Sequence, residues 1–490
     1  MESRVTDEQS YQRAMNNPAM TVPASSQLSP TTTRRSALSR QQTARTLSSG
    51  TSEDSTATTT DGANGSDPTN STAVYEDLED EPSKSKYDRG WRRIVRNFSP
   101  SWFSVTMGTG VVSLIFFAIP FQTAWLYWLS VVFFVLNLGI FTAATIISVL
   151  RYTLYPEIWM VMIHDLTNSL FLGTSCMGMA TLVQALINLC CPYWGLWATY
   201  LAWGLWMVNA VLSLAVTLSL SFLLISQSKV ESLDRITAAQ LLPIATTIVA
   251  SGLGAKSAQA LIAQQADPTW VLATALISFV LWGMSTPFAL VILVIYYQRL
   301  AVHKLPPREI IVSSFLPLGP LGMGGNVIIL LGRVMHDILP QVSFLSHIST
   351  APQILYILGL LGALMMWAYG LAWLVYALAA ILSCGSFPFN MGWWGFTFPL
   401  GVFALSTIQL GVEFPSLFFR VLGTIFGVCV VLLWIVVFLG TVRGAWRGHL
   451  FYAPCLKNLP KNAKHGACVS MAPEEVKAMA NEHDPEKGGR

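Results

Sequence analysis

Basic side chains are rare within the long apolar segments of this chain, and two of them could hold an anion. Lys256 lies well inside the fifth such segment, and Arg333 ends the seventh. An ionisable group in an apolar segment indicates a functional site by default, because burying its charge costs free energy. We interpret Lys256 as part of a shallow anion site near the external end of a pore. The alternatives are that Lys256 snorkels to the membrane interface and that Arg333 only ends a helix.

Neutral hydrogen-bond donors in the same segments could line a pore without binding the passing anion tightly. We single out Thr106, Asn326 and Thr397 as pore-lining candidates. Hydroxyls in helices often donate a hydrogen bond to a carbonyl of their own helix, so no single hydroxyl identifies a pore-lining position. Further candidates of the same kind are Ser104, Thr109, Thr247, Ser251, Ser406, Thr407 and Gln409.

Three segments share a motif in which a bulky residue precedes a proline. It occurs as Leu242-Pro243, Leu316-Pro317 and Phe398-Pro399, while the first segment has Gly108 and Gly110 instead. Broken helices are tolerated at membrane depth where they face protein or water, so these residues predict kinks in pore-lining helices. If the kinks lie at one depth, the three bulky residues form an apolar constriction that gates by dewetting. The alternative is that the prolines only shape helix packing.

Titratable residues also occur at segment ends. His164 and Asp165 open the third segment and could sense or relay protons, because histidine titrates near neutral pH. Helix capping by Asp165 is the interpretation that we favour. Glu413 and Arg420, at the last external turn, are expected to form an ordinary interfacial ion pair.

The elements that must position these residues are ten apolar segments of membrane-spanning length. Of 490 residues, 53% are apolar and 11% charged, and the mean hydropathy is +0.52. We predict an all-α integral membrane fold with ten transmembrane helices, paired as five hairpins around a central pore. Odd-numbered helices should form an inner ring, and even-numbered ones should face lipid. The predicted spans are 101–119, 123–150, 163–189, 194–225, 239–263, 268–298, 310–333, 350–383, 391–411 and 415–442.

The ends of the chain differ from this core. Residues 1–90 are polar and poor in large apolar side chains, which predicts a disordered N-terminal tail. Residues 91–445 form the predicted transport domain, and residues 446–490 a second tail. Lysines and arginines concentrate in the loops on the side of the tails, so both termini are predicted to be cytoplasmic.

Several classes of protein are disfavoured. His, Asp, Glu and Cys are not clustered within the spans, which argues against an enzyme. The seven cysteines fit no zinc or redox spacing, and no phosphate-binding loop of a nucleotide-driven pump occurs. We therefore expect no metal site, no cofactor and no nucleic-acid partner.

Two stretches carry a family resemblance. FSPSWFSVTMGTG at 98–110 and FNMGWWGFTFPLG at 389–401 resemble the tellurite-resistance and dicarboxylate transporter family, which is related to the plant slow anion channels. Within it, the chain looks most similar to the fungal sulfite efflux pumps. The resemblance implies one pore per subunit of a homotrimer, plugged by a phenylalanine that corresponds to Phe398.

The resemblance also implies a function. It indicates a plasma-membrane protein, surrounded by lipid, that exports a small inorganic anion such as sulfite or bisulfite. The alternative is another anion moved by the same fold, either a malate-type dicarboxylate, nitrate or chloride. A dicarboxylate carrier should have a second fixed cation that faces the pore.

Overall fold

A computed structural model describes residues 90–226, 233–448 and 450–451. Within these ranges the chain is helical and contains no β-strand. Ten helices are long and apolar enough to cross a membrane, which confirms the predicted all-α membrane fold. They are α1 Phe103–Ala118, α2 Ala124–Leu154, α3 Gly173–Leu189, α4 Leu196–Ser226, α5 Leu241–Ala263, α6 Pro268–His303, α7 Leu318–Ile338, α8 Ala351–Cys384, α9 Trp394–Glu413 and α10 Leu417–Trp446. The predicted tails, 1–90 and 446–490, lie almost entirely outside the described residues.

Odd- and even-numbered helices differ sharply in burial. In the most apolar 18-residue window of each span, 67% to 89% of the residues are buried in odd-numbered spans, against 17% to 39% in even-numbered ones. The odd-numbered helices are shorter and have a higher density of glycine, which permits close packing, whereas the even-numbered ones expose large apolar side chains. We call the two sets the inner helices and the outer helices.

The five inner helices contact one another in a closed cycle. α1 packs against α3, α3 against α5, α5 against α7, α7 against α9, and α9 against α1. Each inner helix also packs against the outer helix that follows it in the chain. A 3₁₀ turn precedes every inner helix, at Pro100–Trp102, Leu170–Leu172, Ala238–Gln240, Arg308–Phe315 and Met391–Trp393. This recurrence is typical of a repeated two-helix unit.

Indole N–H groups join inner and outer helices. Trp206 of α4 donates to the Ala250 carbonyl of α5 at 2.9 Å, and Trp434 of α10 donates to Thr109 Oγ1 of α1 at 3.0 Å. The same kind of bond occurs at Trp282–Gly324, Trp367–Thr407 and Trp394–Thr441. Because a buried indole N–H needs an acceptor, these bonds fix the rotation of the outer helices α4, α6, α8 and α10 against inner ones.

Only one of the three predicted proline kinks lies inside a helix. Pro399 is internal to α9, whereas Pro243 is the third residue of α5 and Pro317 immediately precedes α7. The first turn of a helix does not use its N–H groups for intrahelical bonds, so proline fits there without bending the helix. The predicted kinks at Pro243 and Pro317 are therefore wrong, because these residues start helices.

Gly108 and Gly110 lie within the uninterrupted helix α1 and permit close contacts instead of the predicted kinks. A Cβ built on Gly108 would lie 2.5 Å from Thr397 Oγ1 of α9. A Cβ on Gly110 would overlap the Thr181 hydroxyl of α3. Since no side chain larger than hydrogen fits at either position, these glycines let α1 approach both of its inner neighbours.

Candidate functional site

A cavity of about 750 Å³ opens at the N-terminal ends of all five inner helices, and we call it the vestibule. Each inner helix, or the turn that leads into it, contributes a polar side chain to the wall: Ser104, Asn168, Gln240, Ser313 and Asn390. Among the described lining residues, Glu309 is the charged one. Such neutral groups can bind a small polar solute without holding it tightly.

Apolar side chains close the deep end of the vestibule. Leu242 and Leu316 line its wall. Phe398 follows the lining residues Met391 and Gly395 by seven and three positions, so it lies on the same face one turn deeper, with 4% of its surface exposed. A Cβ on Gly395 would lie 3.8 Å from Leu316 Cδ2, which places Leu316 one turn before Phe398. Leu316 therefore lies about one turn nearer the opening than Phe398, so these two predicted gate residues do not share one level.

Beyond Phe398, the contacts of α7 define which of its faces looks into the ring. Gly322 packs against the backbone of α9, and Met323 lies against α5. Asn326 falls between these two directions, and Arg333 lies seven residues further on the same face. Asn326 is 5% exposed and makes no side-chain hydrogen bond to any described residue. Its carboxamide lies on the face of α7 between the neighbouring helices α5 and α9.

Lys256 lies toward the C-terminal end of α5, on the side of the molecule away from the vestibule. It follows Gly252, which packs against α7, by one turn. Its partly buried ammonium donates to Gln259 Oε1 at 3.2 Å. The charge of Lys256 also interacts with the charges of Arg333 and Glu413. The two predicted basic residues therefore lie toward the same end of the molecule, in the C-terminal parts of α5 and α7.

The Glu413 carboxylate completes this group, which we call the distal cluster. It accepts hydrogen bonds from Arg333 Nη1 at 3.3 Å, from the Tyr356 hydroxyl at 2.6 Å and from Gln409 Nε2 at 2.8 Å. Arg420, its expected partner, instead donates from Nε to the Gly411 carbonyl at 3.1 Å. The prediction of a Glu413–Arg420 pair is therefore wrong.

Comparison with known proteins identifies the family. Residues 97–442 match the family model described as voltage-dependent anion channel. The chain belongs to this family. The match spans α1 to α9, most of α10, the distal cluster and the vestibule wall except Leu450.

Curated relatives of this anion channel family member include fungal transporters. The sulfite efflux pump of Arthroderma otae is 44% identical over 377 residues, which cover 77% of this chain and 98% of the relative. The sulfite efflux pump of Trichophyton rubrum is 42% identical with the same coverage. The malic acid transport protein of Schizosaccharomyces pombe is 24% identical over 73% of this chain and 81% of its own length.

Two of the predicted pore-lining residues face neighbouring helices in this family member. Thr106 packs closely against Gly178 of α3, where its hydroxyl occupies the space that a Cβ on Gly178 would need. Thr397 packs against Gly108 of α1 in the same way. Both hydroxyls donate within their own helices, at 2.7 Å to the Phe103 carbonyl and at 2.9 Å to the Trp394 carbonyl. Thr106 and Thr397 therefore serve helix packing, unlike Asn326.

His164 and Asp165 lie before the third span of the anion channel fold, not within it. His164 ends the short helix Glu157–His164, and the span itself begins at Leu170, seven residues later than predicted. The exposed His164 imidazole contacts the Met160 carbonyl through Nδ1 at 2.8 Å. Asp165 accepts from Asn168 Nδ2 at 2.7 Å and from the Asn168 N–H at 3.4 Å. These bonds support helix capping, the interpretation favoured from the sequence.

Proposed function

We propose that this protein exports sulfite or bisulfite across the plasma membrane. The curated relatives that are 42% to 44% identical, and that are covered over 98% of their length, are named sulfite efflux pumps. Membership of an anion channel family supports an anion as the cargo. One observation carries the mechanism: polar groups at both ends of the inner ring are separated by buried apolar side chains.

In this proposal the anion follows the axis of the inner ring. It enters the vestibule, where neutral donors replace part of its hydration shell. It then passes Phe398, whose displacement opens the apolar section, and meets the Asn326 carboxamide. Lys256 and Arg333 finally offer a shallow site from which it leaves, and Glu413 weakens the attraction of that site for the anion by offsetting part of their charge.

We place the vestibule on the cytoplasmic side. Basic residues occur near the helix ends and loops on that side: Arg151, Arg299, Lys304, Arg308, Arg443 and Arg447. Excess positive charge in short loops is typical of the cytoplasmic side of membrane proteins. An inside-negative potential then favours exit of an anion by about 2.3 kcal/mol per charge per 100 mV. From the family resemblance, we further propose a homotrimer with one path in each subunit.

A second candidate is export of a dicarboxylate such as malate. It has one specific observation in its favour, since Arg333 supplies a second basic group beside Lys256. Glu413 offsets that second charge through its bond to Arg333. We therefore prefer the small inorganic anion.

Flux measurements on purified protein in liposomes test the proposal. Sulfite-loaded vesicles should lose sulfite faster with the protein than without it, and malate should move much more slowly. Nitrate serves as a small monovalent comparison. Rapid malate or nitrate flux with no sulfite flux would redirect the proposal to another anion, and no flux of any of the three would refute it.

A further inference from the structure

A second cavity, of about 350 Å³, lies between the outer helices α6 and α8, and we call it the side pocket. Tyr297 of α6 and Tyr376 of α8 flank it, with ring centroids 6.5 Å apart and about half of each residue exposed. Ala377, Ala379 and Ala380 form much of its apolar wall. Its volume falls in the usual range for small-ligand sites. Because outer helices face lipid, the side pocket opens toward the membrane.

A buried donor without a partner lies in the wall of the side pocket. Trp373 lines the side pocket and is 2% exposed, yet its Nε1 has no hydrogen-bond partner among the described residues. Other indoles at helix contacts donate to an acceptor, as Trp206 does to the Ala250 carbonyl. A buried indole N–H without an acceptor costs free energy. Such a group indicates a ligand that brings its own acceptor, such as an ester carbonyl.

A cation stands at the rim of the side pocket. The Lys304 ammonium lies 3.4 Å from the carbonyl of Ala301, which lines the pocket, and the next residue along the chain, Leu305, also lines it. Lys304 is exposed. Basic groups at the membrane surface attract anionic headgroups. The rim is thus polar and positive, and the interior is apolar, which matches a phospholipid.

The floor of the side pocket is also a wall of the vestibule. Ser314 lines the side pocket, whereas its neighbours Val312, Ser313 and Leu316 line the vestibule. All of them belong to, or directly follow, the 3₁₀ helix Arg308–Phe315. A 3₁₀ run of eight residues is unusually long, and such runs often mark hinges or strain.

We infer that the side pocket binds an anionic phospholipid from the leaflet on the vestibule side. Its acyl chain lies between α6 and α8, an ester carbonyl accepts from Trp373, and its phosphate lies beside Lys304. The bound lipid supports the thin wall formed by Arg308–Phe315 and so fixes the position of Leu316 above Phe398. Lipid composition would thereby influence the opening of the vestibule. This inference does not depend on which anion is transported.

Thermal unfolding of the delipidated full-length protein in detergent tests the site. A ligand that binds the folded state raises Tm by mass action, so phosphatidylserine should raise it by several degrees. Phosphatidylcholine should raise it less, and inorganic phosphate should not raise it, because the headgroup alone lacks the chain. Lys304→Gln should lose most of the shift, and Ala379→Phe, which places a ring at the exposed mouth, should lose it too.

Two matched controls separate this site from general effects. Leu382→Phe adds a ring to the same face of α8 at a residue that is 82% exposed and does not line the pocket, and it should keep the shift. Arg92→Gln removes a cation that is also exposed but lies away from the pocket, and it should keep the shift as well. The inference is overturned if phosphatidylserine stabilises Lys304→Gln and Ala379→Phe as much as it stabilises the unmodified protein. A change of oligomeric state in Ala379→Phe, with no change in lipid response, would instead assign this face to a second copy of the chain.

Discussion

The Arg333 guanidinium and the Glu413 carboxylate lie 3.3 Å apart and connect α7 to α9 at the end of the molecule opposite the vestibule. The pair is asymmetric, because 49% of the arginine side chain is exposed against 2% of the glutamate side chain. The buried partner is also bonded to Tyr356 and Gln409, which hold it in place. Glu413 is thus a fixed negative charge beside two cations.

Replacing Glu413 with Gln should increase anion flux. The amide keeps the size of the side chain but removes the charge that offsets Arg333 and Lys256, so a passing anion experiences a more positive site. We expect a rise of about fivefold, which corresponds to about 1 kcal/mol. The measurement is the initial rate of anion efflux from liposomes. Asp337→Asn is the control, because Asp337 is an exposed acid at the same end that pairs with His336; an equal rise in both variants would contradict a specific role for Glu413.

Replacing Lys256 with Gln should decrease flux by a similar factor. The neutral side chain no longer attracts the anion toward the distal cluster. The rate is measured per molecule of correctly inserted protein. Arg420→Gln is the control. Arg420 is a cation at the same end of the molecule as the distal cluster, but its side chain donates to the Gly411 carbonyl. Unchanged flux in Lys256→Gln would remove Lys256 from the transport path.

Replacing Phe398 with Ala should raise the anion leak. The substitution removes a buried aromatic ring at the deep end of the vestibule and leaves a gap that water can enter. It should also cost about 3 kcal/mol or more of stability, as core Phe→Ala changes do. Phe396→Ala is the matched control, because Phe396 is also buried but packs against Phe315, with ring centroids 5.0 Å apart. If both variants leak equally, loosened packing and not an open gate explains the effect.

Replacing Gly108 with Ala should destabilise the fold. The added Cβ would lie 2.5 Å from both Thr397 Oγ1 and Trp394 Cε3, so α1 and α9 must separate. Overpacking of this kind costs about 1–3 kcal/mol. Thermal unfolding in detergent measures the loss. Gly139→Ala in α2 meets no atom within 4 Å and should be neutral or stabilising, because alanine favours helix more than glycine does; equal stability of the two variants would contradict the close contact.

Hydropathy and residue type predicted the ten spans and their division into buried and lipid-facing helices. That was possible because glycine has a higher density in the helices that pack on all sides. The stagger of Leu316 and Phe398 could not be predicted in this way. A shared Leu-Pro or Phe-Pro motif fixes a position along one helix but not the axial offset between two helices, which depends on contacts such as Gly395 with Leu316.

The candidate site was predicted in part. Lys256 and Arg333 were singled out because burying a charge in an apolar segment costs free energy, so charged residues are rare there and easily noticed in the sequence. Thr106 and Thr397 were misplaced, because the sequence does not reveal which face of an inner helix meets a neighbour. The partner of Glu413 was misjudged for a related reason, since Arg420 is near in sequence but bonds to the backbone.

The convergence of five helix starts on one cavity gives the inner ring an electrical direction. The vestibule is lined by the first residues of the inner helices or by the turns that lead into them, so the peptide dipoles of all five point the same way. Each helix start acts as roughly half a positive elementary charge. The backbone itself therefore makes the vestibule attractive to anions, although its described lining includes no lysine or arginine. The C-terminal ends of the inner helices carry the negative ends of these dipoles. Lys256 and Arg333 lie at that end, where their positive charges offset the negative potential.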